Sequence, residues 1–202
     1  MPATPDELIA LCRQAGPEGL GPLCELYRNY LVLLARIEVG RHLQRKVDAS
    51  DLVQEAFLDA HRYFTGFQGT TEAQFLEWLK TILAGKVSNN VRRYLGTQGR
   101  DIRRELNDVA ESFDRSGDRL AQLAHPTSDR PSQCVIRREQ SVLVANALQA
   151  LPEDYREVMI LRHWEDLTFP QIATRMERSV DSVQKLWIRA LARLRTTIGS
   201  LE

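Results

Sequence analysis

The fold is decided by LTFPQIATRMERSVDSVQKLWIRALARLR, Leu167 to Arg195. Thr168 and Gln171 have the spacing of a capping box, and Ile172, Ala173 and Met176 follow as a short apolar stripe. Glu177, Arg178 and Ser179 supply a tight turn, after which Ser179 can cap a second helix with inward positions Val183, Leu186 or Trp187, Ala190 and Leu194. A short helix, a turn and a longer helix make the layout of a helix-turn-helix, whose second helix enters the major groove amino-terminus first. Asp181, Ser182, Gln184, Lys185 and Ile188 fall on its outer face, with Arg189 and Arg193 beyond. Ser182, Gln184, Lys185 and Arg189 are the candidate DNA contacts, because Gln and Lys reach base edges while Ser and Arg reach bases or phosphates. An ordinary helical hairpin with a basic surface would show the same pattern, so the segment alone leaves both readings open.

Helical periodicity extends upstream to Ser132 through Val135, Ile136, Val142, Leu143, Ala147 and Leu151. Pro152, Glu153 and Asp154 form an acidic helix start suited to the positive end of a helix dipole, and Tyr155, Val158, Met159 and Trp164 read as core. From Gly96 to Pro131 the periodicity fades among Gly99, Gly117, Pro126 and many polar residues, which predicts a flexible linker with room for one short helix. The amino-terminal part is again helical. Thr4, Pro5, Asp6 and Glu7 start one helix, and Leu23, Leu26, Tyr27, Tyr30, Leu31, Leu34 and Ile37 recur at helical spacing. Another starts near Asp48 or Ser50 with Leu52, Ala56, Phe57, Ala60 and Phe64 on one face and Asp51, Gln54, Glu55, Asp59 and Arg62 on the other. The next places Phe75, Trp78, Leu79, Ile82, Val91 and Tyr94 inward. The expected fold is all-α: two small helical domains, a bundle over 1–95 and a helix-turn-helix domain over 132–202, joined by a linker over 96–131.

Among the 202 residues, 27 basic side chains balance 27 acidic ones, yet the charge is segregated. Lys86 to Leu106 and Arg175 to Arg195 each carry six basic and two acidic residues, while acids gather in Asp48 to Asp59 and Glu153 to Asp166. Phosphate responds to such local clusters, although a charge run is more often a solvated face. Three cysteines without CxxC spacing argue against a disulfide framework or a four-ligand zinc site, and read as reduced, buried thiols. There is no HExxH, GxSxG or phosphate-loop motif, and His42, His61, His125 and His163 are scattered. The expectation is therefore a non-enzyme with no cofactor and no metal. Apolar stretches such as Tyr30 to Ala35 fall far short of a membrane span, and the first ten residues lack a signal layout, which predicts a cytoplasmic protein without membrane insertion.

Several stretches, in order, resemble the bacterial RNA polymerase sigma factors of the sigma-70 family. Asp51-Leu52-Val53-Gln54-Glu55-Ala56-Phe57-Leu58 is similar to the helix that docks on the clamp of the largest polymerase subunit. Phe64, Phe67 and Gly69, then Phe75, Trp78, Leu79 and Ile82, are similar to the loop and helix that open and read the minus-ten element. Leu148, Leu151-Pro152-Glu153, Tyr155-Arg156-Glu157-Val158, Leu167, Ile172-Ala173, Arg189-Ala190 and Leu194 are similar to the domain that reads minus-thirty-five. A chain of this length has no room for the additional domains of housekeeping members, so the extracytoplasmic-function group fits best. The sequence departs from the group at Gly85, where Asn is frequent, and at Leu186, where Arg is frequent.

The resemblance implies core polymerase binding by Asp51, Gln54, Glu55 and Asp59, and promoter DNA as the second partner. It implies further contact with the flap of the second-largest subunit and allows an anti-sigma factor. Single strands are held by aromatic stacking beside a basic groove, a combination that Phe64, Phe67, Asn89, Asn90, Arg92 and Arg93 could supply for minus-ten. Phe64 and Phe67 fit equally well as core at a helix end. The alternative for the whole chain is a helix-turn-helix activator or repressor whose amino-terminal bundle senses a ligand or a partner.

Overall fold

The computed structural model describes residues 4–43, 46–95, 102–124 and 134–200, and all their regular structure is helical. The chain divides into two units, Met1–Asp114 and Arg115–Glu202.

Helix α1 (Pro5–Ala15) begins with the expected box: the Glu7 backbone N–H donates to the Thr4 hydroxyl at 3.3 Å, and the Thr4 N–H donates to the Glu7 carboxylate at 2.8 Å. Helix α2 (Leu20–Leu43) kinks at Gly40, whose φ of 59° lies in the left-handed region open to glycine. The Asp48 carboxylate caps α3 (Ala49–Tyr63) by accepting the Ser50 N–H at 2.8 Å. A 3-10 turn, Phe64–Gly66, and a loop lead to α4 (Glu72–Leu95).

These helices pack along their apolar stripes. Leu23, Tyr27, Leu31 and Leu34 of α2, Leu52, Val53, Ala56 and Ala60 of α3, and Phe75, Leu79, Leu83 and Val87 of α4 are all buried in the bundle in which these three helices contact one another. Each fully buried large side chain contributes roughly 1.5–3 kcal/mol, which fixes the bundle and leaves the opposite face of α3 outward. Tyr94, expected inward, is 39% exposed at the end of α4.

The stretch expected as a linker with a short helix holds a longer one. Ile102–Ala124 is one 23-residue helix, α5, and the rest of 96–131 lies outside the described residues. Its apolar positions are few but fall on one stripe: Val109, Phe113, Leu120 and Ala121 are buried, with Ser116 between them. Up to Asp114 the helix belongs to the first unit. There Arg92 pairs with Glu105 at 2.9 Å, and buried Lys80 is neutralised by Asp114 and by Glu77 at 2.8 Å. From Arg115 it belongs to the second, where the Ser141 hydroxyl donates to the Gly117 carbonyl at 2.8 Å and Arg119 to the His163 carbonyl at 2.9 Å.

The second unit continues with α6 (Cys134–Gln149), α7 (Glu153–His163), α8 (Phe169–Arg175) and α9 (Val180–Gly199). Val144, Leu148, Leu151, Val158, Met159, Ile172, Val183, Ala190 and Leu194 are buried between them. Ser132 and the side chains of Cys134, Val135 and Ile136 lie outside the described residues. Cys12 and Cys24 are free and buried, and burial raises both thiols, Cys24 to about 12.

Candidate nucleic-acid and partner interfaces

The carboxy-terminal pair α8–α9 is a helix-turn-helix in geometry. The Thr168 N–H donates to the Gln171 side chain at 2.8 Å, and the Ser182 N–H donates to the Ser179 hydroxyl at 3.2 Å, so both helices start where the cap residues stand. Between them Glu177 takes a φ of 54°, and Arg178 donates from its backbone to the Ala173 carbonyl at 2.9 Å and pairs through its side chain with Asp154 of α7. Leu186, not Trp187, completes the inward stripe. Trp187 lies half-buried, its ring stacked on His163 with centroids 6.4 Å apart and meeting Phe169 edge-on at 5.6 Å.

With that stripe buried, the outward face follows. Gln184, Lys185 and Arg189 are exposed and Ser182 is half-buried near the cap. Lys185 reaches back one turn to Asp181 at 2.7 Å, an exposed pair of the kind worth only about 0.3–0.5 kcal/mol and readily given up to a stronger acceptor. Ile188 is 60% exposed on the same face; its place was legible in the sequence but no role was assigned to it. Arg189 and Arg193, with Pro152, Tyr155, Ala192 and Thr196, line an open groove of roughly 500 Å³. Two guanidinium groups at its wall suit a phosphate backbone.

On the first unit, α3 presents Asp51, Gln54 and Glu55 exposed and Asp59 half-buried. The face is already furnished with cations: Lys86 of α4 lies 2.6 Å from Asp59 and 3.9 Å from Glu55, and Arg28 donates to the Gln54 side-chain oxygen at 3.2 Å while stacking over Phe57. Leu58, 60% exposed among these polar residues, was missed as a candidate because the helix pattern marks it only as an apolar residue off the stripe.

The candidate minus-ten residues are not brought together as the sequence suggested. Phe64 and Phe67 are buried, 4% and 8% exposed, in a ring cluster in which Phe67 stacks on Trp78 at 4.8 Å and meets Phe75 edge-on at 5.8 Å. Neither offers a free ring face; the rings pack because a helix end beside the core is a sheltered place for them. Of this cluster Trp78 is half-buried and reaches the surface. Arg92 is committed to Glu105, and Asn90 donates to the Lys86 carbonyl at 3.0 Å. Asn89 and Arg93 are exposed. The loop after Phe67 also turns polar atoms outward, with Gln68, Thr70 and Thr71 exposed.

Among the described residues no group of His, Cys, Asp and Glu could hold a metal ion, and no helix is long and apolar enough to cross a membrane.

Residues 26–95 match the family description "Sigma-70 region 2", and residues 141–194 match "Sigma-70, region 4". The chain is 32% identical over 169 residues to the ECF RNA polymerase sigma-E factor of Escherichia coli K12, covering 80% of this chain and 81% of that one. It is 29% identical over 200 residues to the sigma-E factor of Haemophilus influenzae, covering 98% and 97%. The Salmonella typhimurium LT2 protein of the same name is 31% identical over 169 residues, covering 80% and 81%.

Proposed function

We propose, because the chain belongs to the extracytoplasmic-function (ECF) sigma factors of the sigma-70 family, a division of labour among three of its surfaces. As a sigma factor the protein binds core RNA polymerase and directs promoter-specific initiation of transcription. The family's members are initiation factors, generally without enzymatic activity.

The observation that carries the division is the outward face of α3, where carboxylates and an amide stand exposed on a helix whose other face is locked into the core. Asp51, Gln54, Glu55 and Asp59, with Leu58 among them, dock on the clamp of the largest polymerase subunit. Apolar Leu58 supplies buried area and the ring of polar groups sets register, the usual anatomy of a specific contact. The exposed loop residues Gln68, Thr70 and Thr71, with Trp78, Asn89 and Arg93, face the opened minus-ten strand. Phe64 and Phe67 serve as its floor. Ser182, Gln184 and Lys185 read minus-thirty-five base edges, and Arg189 and Arg193 hold its phosphates. The second unit also meets the flap of the second-largest subunit, and an anti-sigma factor would compete for these same surfaces. A sensor-type activator is disfavoured, since the bundle that would have to sense a ligand is the part matching region 2.

Asp51→Ala combined with Glu55→Ala tests the docking face, because both side chains are solvated and their loss costs folding within about 0.5 kcal/mol. The expected result is weaker binding to core polymerase in competition with the unaltered protein, at unchanged thermal stability. Equal affinity would remove the α3 face from the docking surface.

A further inference from the structure

The residues ahead of the region 2 match include a helix whose contacts converge on one place. Asp6 of α1 accepts the backbone N–H of Glu72, the first residue of α4, at 2.6 Å. Arg13 of α1 donates to the Gly69 carbonyl at 3.2 Å. Tyr27, next in line on α2, donates its hydroxyl to the Glu72 carboxylate at 2.6 Å. The bonds from α1 thus bind the two ends of the segment Gly69 to Glu72, more than fifty residues away in the chain.

Within the loop itself the bonds are local. The Thr70 and Thr71 N–H groups donate to the Gln74 side chain at 2.8 and 3.3 Å, which leaves the amide of Glu72 to be satisfied from elsewhere. Asp6 satisfies it with a carboxylate at the positive end of the 24-residue α4. Gly69 is required by close approach, since a Cβ there would fall 2.3 Å from the Phe67 ring. The loop is therefore folded down over Phe67, while Gln68, Thr70 and Thr71 remain exposed above it. Its two ends are tied to α1, so the shape of the loop depends on that helix.

We infer that α1 is a positioning element for minus-ten recognition, with Asp6 and Arg13 as positioning residues that hold the loop Gly66–Thr71 in the shape that selects the base. They do so without touching DNA. The inference rests on the proposed reading that this loop faces the minus-ten strand. It departs from a plain structural role in what it affects: the loop's selectivity, and not polymerase affinity or minus-thirty-five preference.

The test uses holoenzyme assembled from core polymerase and the full chain, selecting on promoters randomised at minus-ten and, separately, at minus-thirty-five. Asp6→Ala and Arg13→Ala are each expected to reduce discrimination among minus-ten sequences about fivefold or more, the scale of one lost base contact, with core affinity and minus-thirty-five preference unchanged. Asp6→Asn keeps an acceptor for the Glu72 N–H and is expected to restore most of the discrimination. If both alanine variants keep the parental minus-ten profile, or lose activity evenly across all sequences together with core affinity, α1 does not position the loop. Gln68→Ala, an exposed change within the loop, separates this failure from the other. If it shifts minus-ten preference while the α1 variants do not, the bracing alone is overturned; if it too leaves preference intact, the loop is not the reader and the inference falls with that reading.

Discussion

Lys185 and Arg189 stand one turn apart on α9 and both are exposed, yet their surroundings differ. Lys185 is near the amino-terminal half beside Asp181, whereas Arg189 borders the groove with Arg193. In a groove-inserted helix, early residues meet base edges and later basic ones meet phosphate. Lys185→Ala is therefore expected to change which minus-thirty-five sequence is preferred, at about 1–3 kcal/mol for the contacted position. Arg189→Ala should weaken all sequences about evenly and lower the salt slope by about one. Holoenzymes selected on a randomised minus-thirty-five library at two salt concentrations distinguish these outcomes. Behind the same helix, burial and then the nearby Arg162 lower the His163 imidazole below its usual range, with Asp166 opposing and Arg119 adding to the shift. A base with a lowered folded value is neutral when folded, so unfolding takes up a proton below about pH 6.5. The second unit should hold full stability above that value and lose it as pH falls toward the folded value. His163→Phe keeps a ring against Trp187 and should flatten this acid slope in thermal melts; a slope equal to the parent's would assign it to other groups.

At the scale of elements, the helix starts were readable because caps are local chemistry: Thr4, Asp48, Thr168 and Ser179 each sit where a helix begins. The recognition helix was readable for the same reason, save the choice between Leu186 and Trp187, which depends on where His163 and Phe169 lie. Helix α5 was not. Gly117 and a majority of polar residues weaken every local signal, and what holds it is a buried stripe through Phe113 and Leu120 together with pairings to Lys80, Arg92 and Ser141 elsewhere in the chain. Phe64 and Phe67 were ambiguous because a ring at a helix end can stack on a base or on Trp78, and tertiary packing decides. Because Phe113 is buried, Phe113→Ala should lower first-unit stability by about 3 kcal/mol or more. Amides of residues 106–121 should exchange slowly with solvent, and exchange at the rate of an open chain would contradict the helix.

For the whole molecule, overall neutrality conceals two basic windows, Lys86 to Leu106 and Arg175 to Arg195, one in the first unit and one in the second. Arg92 is already paired with Glu105 and Lys86 with Asp59, which leaves the first window less cationic in the unbound chain than the sequence count suggests. Phosphate contacts supply much of the affinity for duplex, so the chain alone should bind a full promoter weakly and the holoenzyme far more tightly. Filter binding or anisotropy on the same promoter fragment measures both; equal affinities would favour a free-standing DNA-binding regulator over the division of labour proposed above.

The Lys86 ammonium lying 2.6 Å from the Asp59 carboxylate makes the proposed docking helix a surface with one seat already taken. A cation arriving from the polymerase does not meet a hydrated carboxylate there but a tethered rival, present at an effective concentration that dilution does not lower. In the proposed docking, association at Asp59 is an exchange of partners, which releases few ions to solvent, while at Asp51, exposed and without an ion pair among the described residues, it is a fresh pairing that salt screens. The proposed docking face thus offers two kinds of contact, one tuned by the ionic strength of the surroundings and one largely indifferent to it.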